Sequence, residues 1–173
     1  MNIHAGHEGD WTLPPDGFVP NYLLYLLAAA SAAVSGEFHE QVRARGLRVP
    51  EWRVLACLKD SDGQMVTQLA ALALMEQSRL TRIIDQMAAK GLVLRKSDAA
   101  DRRRVRVYLT PEGDRLATEL VEAARSHEAG ILVQLGADEA RMLKDVLKRI
   151  HALHPLGATA GTEAEAPPPS RPR

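Results

Sequence analysis

Apolar residues recur along the chain first at helical and then at alternating spacing, and the changes between the two mark out the elements. From about Phe18 to Arg45, Tyr22, Leu26, Ala29 and Ala33 form one stripe and Leu23, Leu27, Ala30 and Val34 another, both with the period of an α-helix. Together they wrap most of the helix's first half, so it needs burial on more than one side, as between subunits. Gly46 supplies its end. Pro50 suits a first helical position, and Trp52, Leu55, Ala56 and Leu58 carry a second helix to a turn at Asp60–Gly63. Thr67 is the expected N-cap of a third helix over Val66–Ala73. Ser78 is that of a fourth, running through Leu80, Ile83, Ile84 and Met87 to Gly91.

After Gly91 the pattern becomes extended. Leu92–Arg95 and Val105–Leu109 are rich in β-branched and alternating residues and predict two strands, joined as a hairpin by the polar loop Lys96–Arg104. Thr110 caps a further helix with Pro111 at its first position, reaching about Gln134. A last, strongly amphipathic helix from Asp138 to about Leu153 repeats Met142, Leu143, Val146, Leu147 and Ile150. Residues 1–17, with Pro14, Pro15 and three glycines, predict an irregular arm, and residues 154–173, with a Pro-Pro-Pro run, a disordered tail. The fold class is mainly α with a small β-hairpin, an α+β arrangement. One domain is expected over 18–153, with a mixed centre at 46–110 between helical stretches at 18–45 and 111–153.

At 173 residues and 46% hydrophobic content the chain can build one core of ordinary size. It has no apolar run of membrane-spanning length, and its N-terminus lacks the blocks of a secretion signal, so a cytoplasmic protein without membrane contact is expected. The single cysteine, Cys57, cannot form an internal disulfide. Formal net charge is zero, from 22 basic and 22 acidic side chains, yet Glu76–Arg106 holds nine basic residues against four acidic ones. Positive potential is thus concentrated in one part of an otherwise acidic molecule, an electrostatic footprint for phosphate.

Helix, short helix, turn, helix, strand, basic loop, strand is the order of a winged helix-turn-helix, whose second helix of the pair enters the DNA major groove. On that helix, the face away from Leu80, Ile83, Ile84 and Met87 carries Gln77, Ser78, Arg79, Thr81 and Arg82. Arginine bonds bidentately to guanine, glutamine to adenine, and hydroxyls reach phosphate. Arg102, Arg103 and Arg104 lie near the hairpin tip, where a narrow minor groove attracts an inserted arginine. Solvated arginines on an ordinary helix and loop would give the same composition; the order of elements around them favours DNA.

These residues resemble the MarR (multiple antibiotic resistance regulator) family. The likeness is carried by Leu47-Arg48-Val49-Pro50-Glu51-Trp52-Arg53-Val54-Leu55, by Leu69-Ala70-Ala71, by Ser78-Arg79-Leu80-Thr81-Arg82 and by Lys90-Gly91-Leu92-Val93. Its most specific part is the wing signature Asp101-Arg102-Arg103 followed by Val105 to Gly113. It covers roughly Phe18 to Leu153. The resemblance implies a homodimeric transcriptional regulator, usually a repressor, on a palindromic operator in double-stranded DNA, with the first helix and the last two forming the dimer interface. It further implies that Arg103 enters the minor groove and that Asp101 orients it by a charge-assisted bond. A phenol or aromatic carboxylate commonly binds between dimer helices and DNA-binding lobe in this family, which makes Tyr22, His39, Arg43, Trp52 and Arg53 candidate effector residues here. For each of the five taken separately, plain packing or interface hydrogen bonding is the simpler reading.

Cys57 sits among Leu55, Ala56 and Leu58, as a small core residue does, and the family's hydroperoxide-sensing cysteine near the start of the first helix has no counterpart. Six scattered histidines, with only His151 and His154 at helical spacing, do not make a metal site. No phosphate loop, serine elbow or acid–base pair points to catalysis, and neither a catalytic residue nor a cofactor is expected beyond a small aromatic effector. Two alternatives stand beside the ligand-responsive repressor: a winged-helix module for protein contacts alone, and a DNA-binding regulator that is ligand-independent or redox-responsive.

Overall fold

The computed structural model describes residues 13–98 and 104–155. Their elements run α1 (Phe18–Asn21), α2 (Leu23–Ala44), α3 (Val49–Asp60), β1 (Gln64–Met65), α4 (Val66–Leu72), α5 (Gln77–Ala89), β2 (Val93–Ser97), β3 (Val105–Leu109), α6 (Pro111–Leu135) and α7 (Ala137–Leu153). The chain divides into two units, Met1–Glu40 and Gln41–Arg173.

In the first unit the expected single helix is interrupted. Tyr22 is extended (φ −81°, ψ 120°), and its carbonyl accepts the first bond of α2 from Leu26 N at 3.0 Å. The interruption follows from the arm: Asn21 Nδ2 donates to the carbonyls of Pro15 and Gly17, each at 2.8 Å, which holds the short turn of α1 to residues before it. Phe18 and Tyr22 stack with ring centroids 5.0 Å apart. Phe18, Leu23, Leu24 and Leu26 are exposed.

In the second unit the α-helical periods become a core. Val54, Leu55 and Leu58 of α3, Leu69 of α4, Leu80 and Met87 of α5, Val107 of β3 and Leu120 of α6 are fully buried. Each such aliphatic side chain contributes about 1.5–3 kcal/mol. Gly46 ends α2 with φ +72°, letting Leu47 N donate back to Val42 O at 3.3 Å; Gly91 ends α5 likewise at φ +70°, with Leu92 N on Met87 O at 3.0 Å. Thr110 caps α6 as expected, its hydroxyl accepting from Gly113 N at 2.9 Å and donating to Gly91 O at 2.6 Å. Lys59–Asp114 at 2.6 Å and Arg45–Glu119 at 2.7 Å fasten α6 further.

Five local expectations are corrected. Pro50 is the second helical residue of α3, which begins at Val49 with Arg48 as its cap. Thr67 and Ser78 are not caps: α4 starts after Met65 and α5 after Glu76, both extended and neither bonding through its side chain. Met65 is held in strand pairing opposite Arg106, so the helix begins at the next residue. A strand absent from the sequence reading, β1, joins the hairpin, giving an antiparallel sheet of order β1-β3-β2. Finally β2 runs on to Ser97, which pairs with Val105 and shortens the loop.

Candidate nucleic-acid interface

The turn between α4 and α5 is made without glycine. Leu74 takes φ +58°, and Met75 N donates to Ala70 O at 2.9 Å, closing α4 and redirecting the chain into α5. Leu80, Ile83, Ile84 and Met87 are buried on one face of α5, so this face fixes its roll. The other face presents Gln77, Ser78, Arg79 and Arg82, all exposed, with Thr81 half-buried and bonded back to Gln77 O at 2.9 Å. All five predicted reading residues thus occur on one helix, gathered towards its N-terminal half. Arg79 and Arg82 make no side-chain hydrogen bond or ion pair among the described residues, so no internal partner need be displaced before they bond to a base.

The hairpin is braced beside this helix. Arg95 on β2 pairs with Asp85 on α5. Arg106 on β3 pairs with Asp98, and its other arm donates to Gly63 O at 2.9 Å, while Leu109 N donates to Asp62 Oδ1 at 2.9 Å. Gly63 has φ +74°, and a Cβ there would meet the Tyr108 ring at 2.6 Å, so this turn requires glycine. Lys96 Nζ lies 5.0 Å from the Tyr108 ring centroid. Asp98 N donates to Arg104 O at 2.8 Å, closing the stem of the loop. Asp101, Arg102 and Arg103 lie outside the described residues.

A concave groove of about 520 Å³ runs between helix and hairpin, lined by Met65, Val66, Thr67, Gln77, Thr81, Arg95, Arg104 and Val105. It brings together Gln77, Thr81 and Arg104, chosen from sequence, with Thr67 and Arg95, which were not. Arg95 was legible only as one more cation in the basic segment, and Thr67 was assigned a capping role instead. Polar donors over an apolar floor suit a sugar-phosphate strand, since phosphate oxygens take charge-assisted bonds while deoxyribose packs on carbon.

The five candidate effector residues are placed as follows. Tyr22 is exposed and stacked on Phe18, and His39 is half-buried on α2; both belong to the first unit. Arg43 is exposed on the last turn of α2, Trp52 half-buried and Arg53 exposed on α3; these belong to the second. Cys57 is half-buried on α3, and burial, reinforced by the charge of Asp60, pushes its thiol above the usual range. Among the described residues no group of three His, Cys, Asp or Glu side chains could hold a metal, and no helix is long and apolar enough to cross a membrane.

Residues 47–105, from the entry of α3 to the start of β3, match the model of the MarR family. The homoprotocatechuate degradative operon repressor of Escherichia coli is 33% identical over 132 residues, covering 74% of this chain and 86% of the repressor. A MarR family transcriptional regulator from Silicibacter pomeroyi has a crystal structure that superposes with a TM-score of 0.73 at 57% identity, over 80% of this chain and 98% of the other. The repressor CouR, solved bound to a 23-mer DNA duplex, superposes with a TM-score of 0.71 at 25% identity, over 80% of this chain and 98% of its own. With the helix-turn-helix and the first strand of the hairpin in the matched segment, and relatives spanned over most of their length, the chain belongs to the MarR family of transcriptional regulators.

Proposed function

We propose that this regulator binds double-stranded DNA sequence-specifically as a homodimer on a palindromic operator, acts as a repressor, and is released by a small aromatic carboxylate or phenol. The observation that carries the DNA contact is the exposed row Gln77, Ser78, Arg79 and Arg82 on α5, set beside a groove lined by Arg95 and Arg104. The DNA-bound state of CouR supports it. From the family resemblance, Arg103 is the residue proposed for the minor groove, with Arg102 and Arg104 as further DNA contacts and Asp101 proposed to orient Arg103.

Dimerisation is supported by apolar surface left uncovered. In the second unit Met142, Leu143, Val146 and Leu147 of α7 are 40–64% exposed, an arrangement a monomer in water would not favour. Two copies would place their α5 helices in successive major grooves, roughly 34–36 Å apart. Repression and an aromatic effector are supported by the relative named for a homoprotocatechuate degradative operon, and Tyr22, His39, Arg43, Trp52 and Arg53 are the residues proposed to meet that effector.

Fluorescence anisotropy with an inverted-repeat duplex from the protein's own promoter, at several salt concentrations, tests the proposal. Affinity is expected to fall linearly in log–log form with a slope of about −0.9 per neutralised phosphate. Absence of binding at low salt, or binding indifferent to salt, would overturn it.

A further inference from the structure

Glu51 is the only charged side chain in the buried class among the described residues, with none of its surface exposed. A carboxylate removed from water persists only where its oxygens are met by donors, and here they are. Oε2 accepts from Arg48 N at 2.7 Å, and Oε1 accepts from Arg48 Nη2 at 3.2 Å and from Lys90 Nζ at 2.9 Å. The Arg48 guanidinium also donates to Gln86 Oε1. Arg48 and Glu51 stand at the first turn of α3, whereas Gln86 lies in the last turn of α5 and Lys90 is its C-cap. The buried charge is therefore a knot between the entry of α3 and the far end of the helix that carries the reading residues.

Apolar packing of Leu80, Ile83, Ile84 and Met87 sets the roll of α5 but is non-directional, so it leaves tilt weakly specified. Hydrogen bonds to a buried charge are directional. From Lys90 back to Gln77 the helix is about 20 Å long at 1.5 Å per residue, so a tilt of about 5° pivoting at Lys90 moves the reading end by nearly 2 Å. That displacement exceeds the tolerance of a bidentate base contact and is small compared with the reach of an arginine to phosphate.

We infer that Glu51 is a positioning residue for base readout: through Lys90 and Arg48 it fixes the tilt of α5 against α3, and so governs discrimination between operator and random DNA without touching either. The inference rests on the DNA-binding function proposed above. Lys90 at a helix C-terminus is also favourably placed against the helix dipole, which holds the knot's cation where Glu51 needs it.

The test uses the full-length protein and its variants Glu51→Gln, Lys90→Met, Lys90→Arg and the double variant Glu51→Gln/Lys90→Met. Dissociation constants are measured for the operator duplex and for a scrambled duplex of equal length at matched salt. Thermal melts and solution mass identify variants that keep fold and assembly. Glu51→Gln and Lys90→Met are expected each to weaken operator binding by about tenfold, with the double variant no worse than either, as for one shared interaction. Scrambled-duplex affinity and salt slope should stay within about twofold, and Lys90→Arg, which keeps the cation opposite Glu51, should retain operator binding better than Lys90→Met. Lys90 is 43% exposed on its side chain, so its variants keep the test decisive if Glu51→Gln fails to fold. Equal loss on both duplexes, or a shallower salt slope for Lys90→Met, would overturn the inference and leave DNA binding standing. A wild-type protein that ignores both duplexes overturns the proposed function itself.

Discussion

Replacing Gly113 by alanine tests how the hairpin is anchored to the helical body. Gly113 lies in the first turn of α6, where the backbone runs against the start of β2, and a Cβ there would stand 1.9 Å from Leu92 O and 2.9 Å from Leu92 C. Carbon–oxygen contacts settle near about 3.3 Å, so the two backbones must part by more than about 1 Å. Leu92 cannot simply retreat: its N–H is bonded to Met87 O at 3.0 Å, and its carbonyl accepts from Thr110 N at 3.1 Å. Parting forfeits the Thr110 bond, about 1 kcal/mol net, and leaves overpacking around the buried Leu92 and Leu116 of about 1–3 kcal/mol. A destabilisation of about 2–4 kcal/mol follows, which for a chain of this length lowers the melting midpoint by about 5–15 °C. The assay is thermal denaturation by circular dichroism at fixed protein concentration, because self-association makes the midpoint concentration-dependent. Gly130 provides the contrast: it lies in the same helix with nothing within 4 Å of an added Cβ, and Gly130→Ala should stabilise by about 0.5–1 kcal/mol. A Gly113→Ala protein melting within about 2 °C of wild type, set against the size-scaled shift expected, would refute the close approach.

Arg82→Ala should remove one bidentate base contact per subunit, worth about 1–3 kcal/mol of discrimination, and alter the consensus recovered by binding-site selection; an unchanged consensus would remove Arg82 from base readout. Leu74→Gly should raise stability by up to about 1 kcal/mol, since the leucine holds a left-handed conformation while 58% exposed, and a lower denaturation midpoint would contradict that. Because burial and Asp60 push the Cys57 thiol up, it should react with a disulfide reagent far more slowly in the folded protein than after denaturation; rapid oxidation accompanied by loss of DNA binding would instead favour a redox-responsive regulator. For Glu51, burial alone would push the carboxyl up, but hydrogen bonds from Arg48 and Lys90 outweigh it and hold it below its usual value of 4.5. A group depressed in the folded state stabilises fully above the unfolded value and loses that contribution as pH falls through the folded one. Wild-type stability should therefore decline more steeply than that of Glu51→Gln as pH drops below about 4.5, and parallel acid-unfolding profiles would show that the carboxyl is not depressed.

Long helices were legible because their signals are local and repeated. The stripe Leu80, Ile83, Ile84, Met87 is buried where period alone placed it, and Gly46, Gly91 and Thr110 act at element ends as their chemistry dictates. What escaped depends on contacts distant in sequence. A two-residue strand such as β1 has no period to detect, and it exists because Gln64 and Met65 pair with Val107 and Arg106. That pairing also displaced the start of α4 from Thr67, overriding a good capping side chain. Leu74 gave no hint of a left-handed turn, since leucine disfavours it. Nothing in the local sequence around Glu51 signals burial, because that burial requires Lys90, 39 residues later. The exposed row Gln77, Ser78, Arg79 and Arg82 of α5 was legible from composition and phase, whereas Arg95 needed the sheet to bring it alongside Gln77 and Thr81.

The arginines of the basic segment divide by what they are bonded to, and the division bears on how a protein of zero net charge grips a polyanion. Arg95 and Arg106 are committed to Asp85 and Asp98, bracing hairpin to helix and strand to loop, whereas Arg79 and Arg82 have no such partner among the described residues. An exposed ion pair is worth at most about 1 kcal/mol, so a phosphate entering the groove competes with Asp85 for Arg95 at little cost. The same pair, when no DNA is present, keeps the hairpin close to α5 and limits the ordering that binding requires. Arginines that are to read bases, the role proposed for Arg79 and Arg82, would gain nothing from such a partner, because an internal carboxylate would satisfy the bidentate fork that guanine must fill. Asp85 is itself exposed on α5, three residues after Arg82, so its pairing with Arg95 offsets a negative charge on that helix and lets a neutral molecule present a locally positive surface without the self-repulsion of a large net charge.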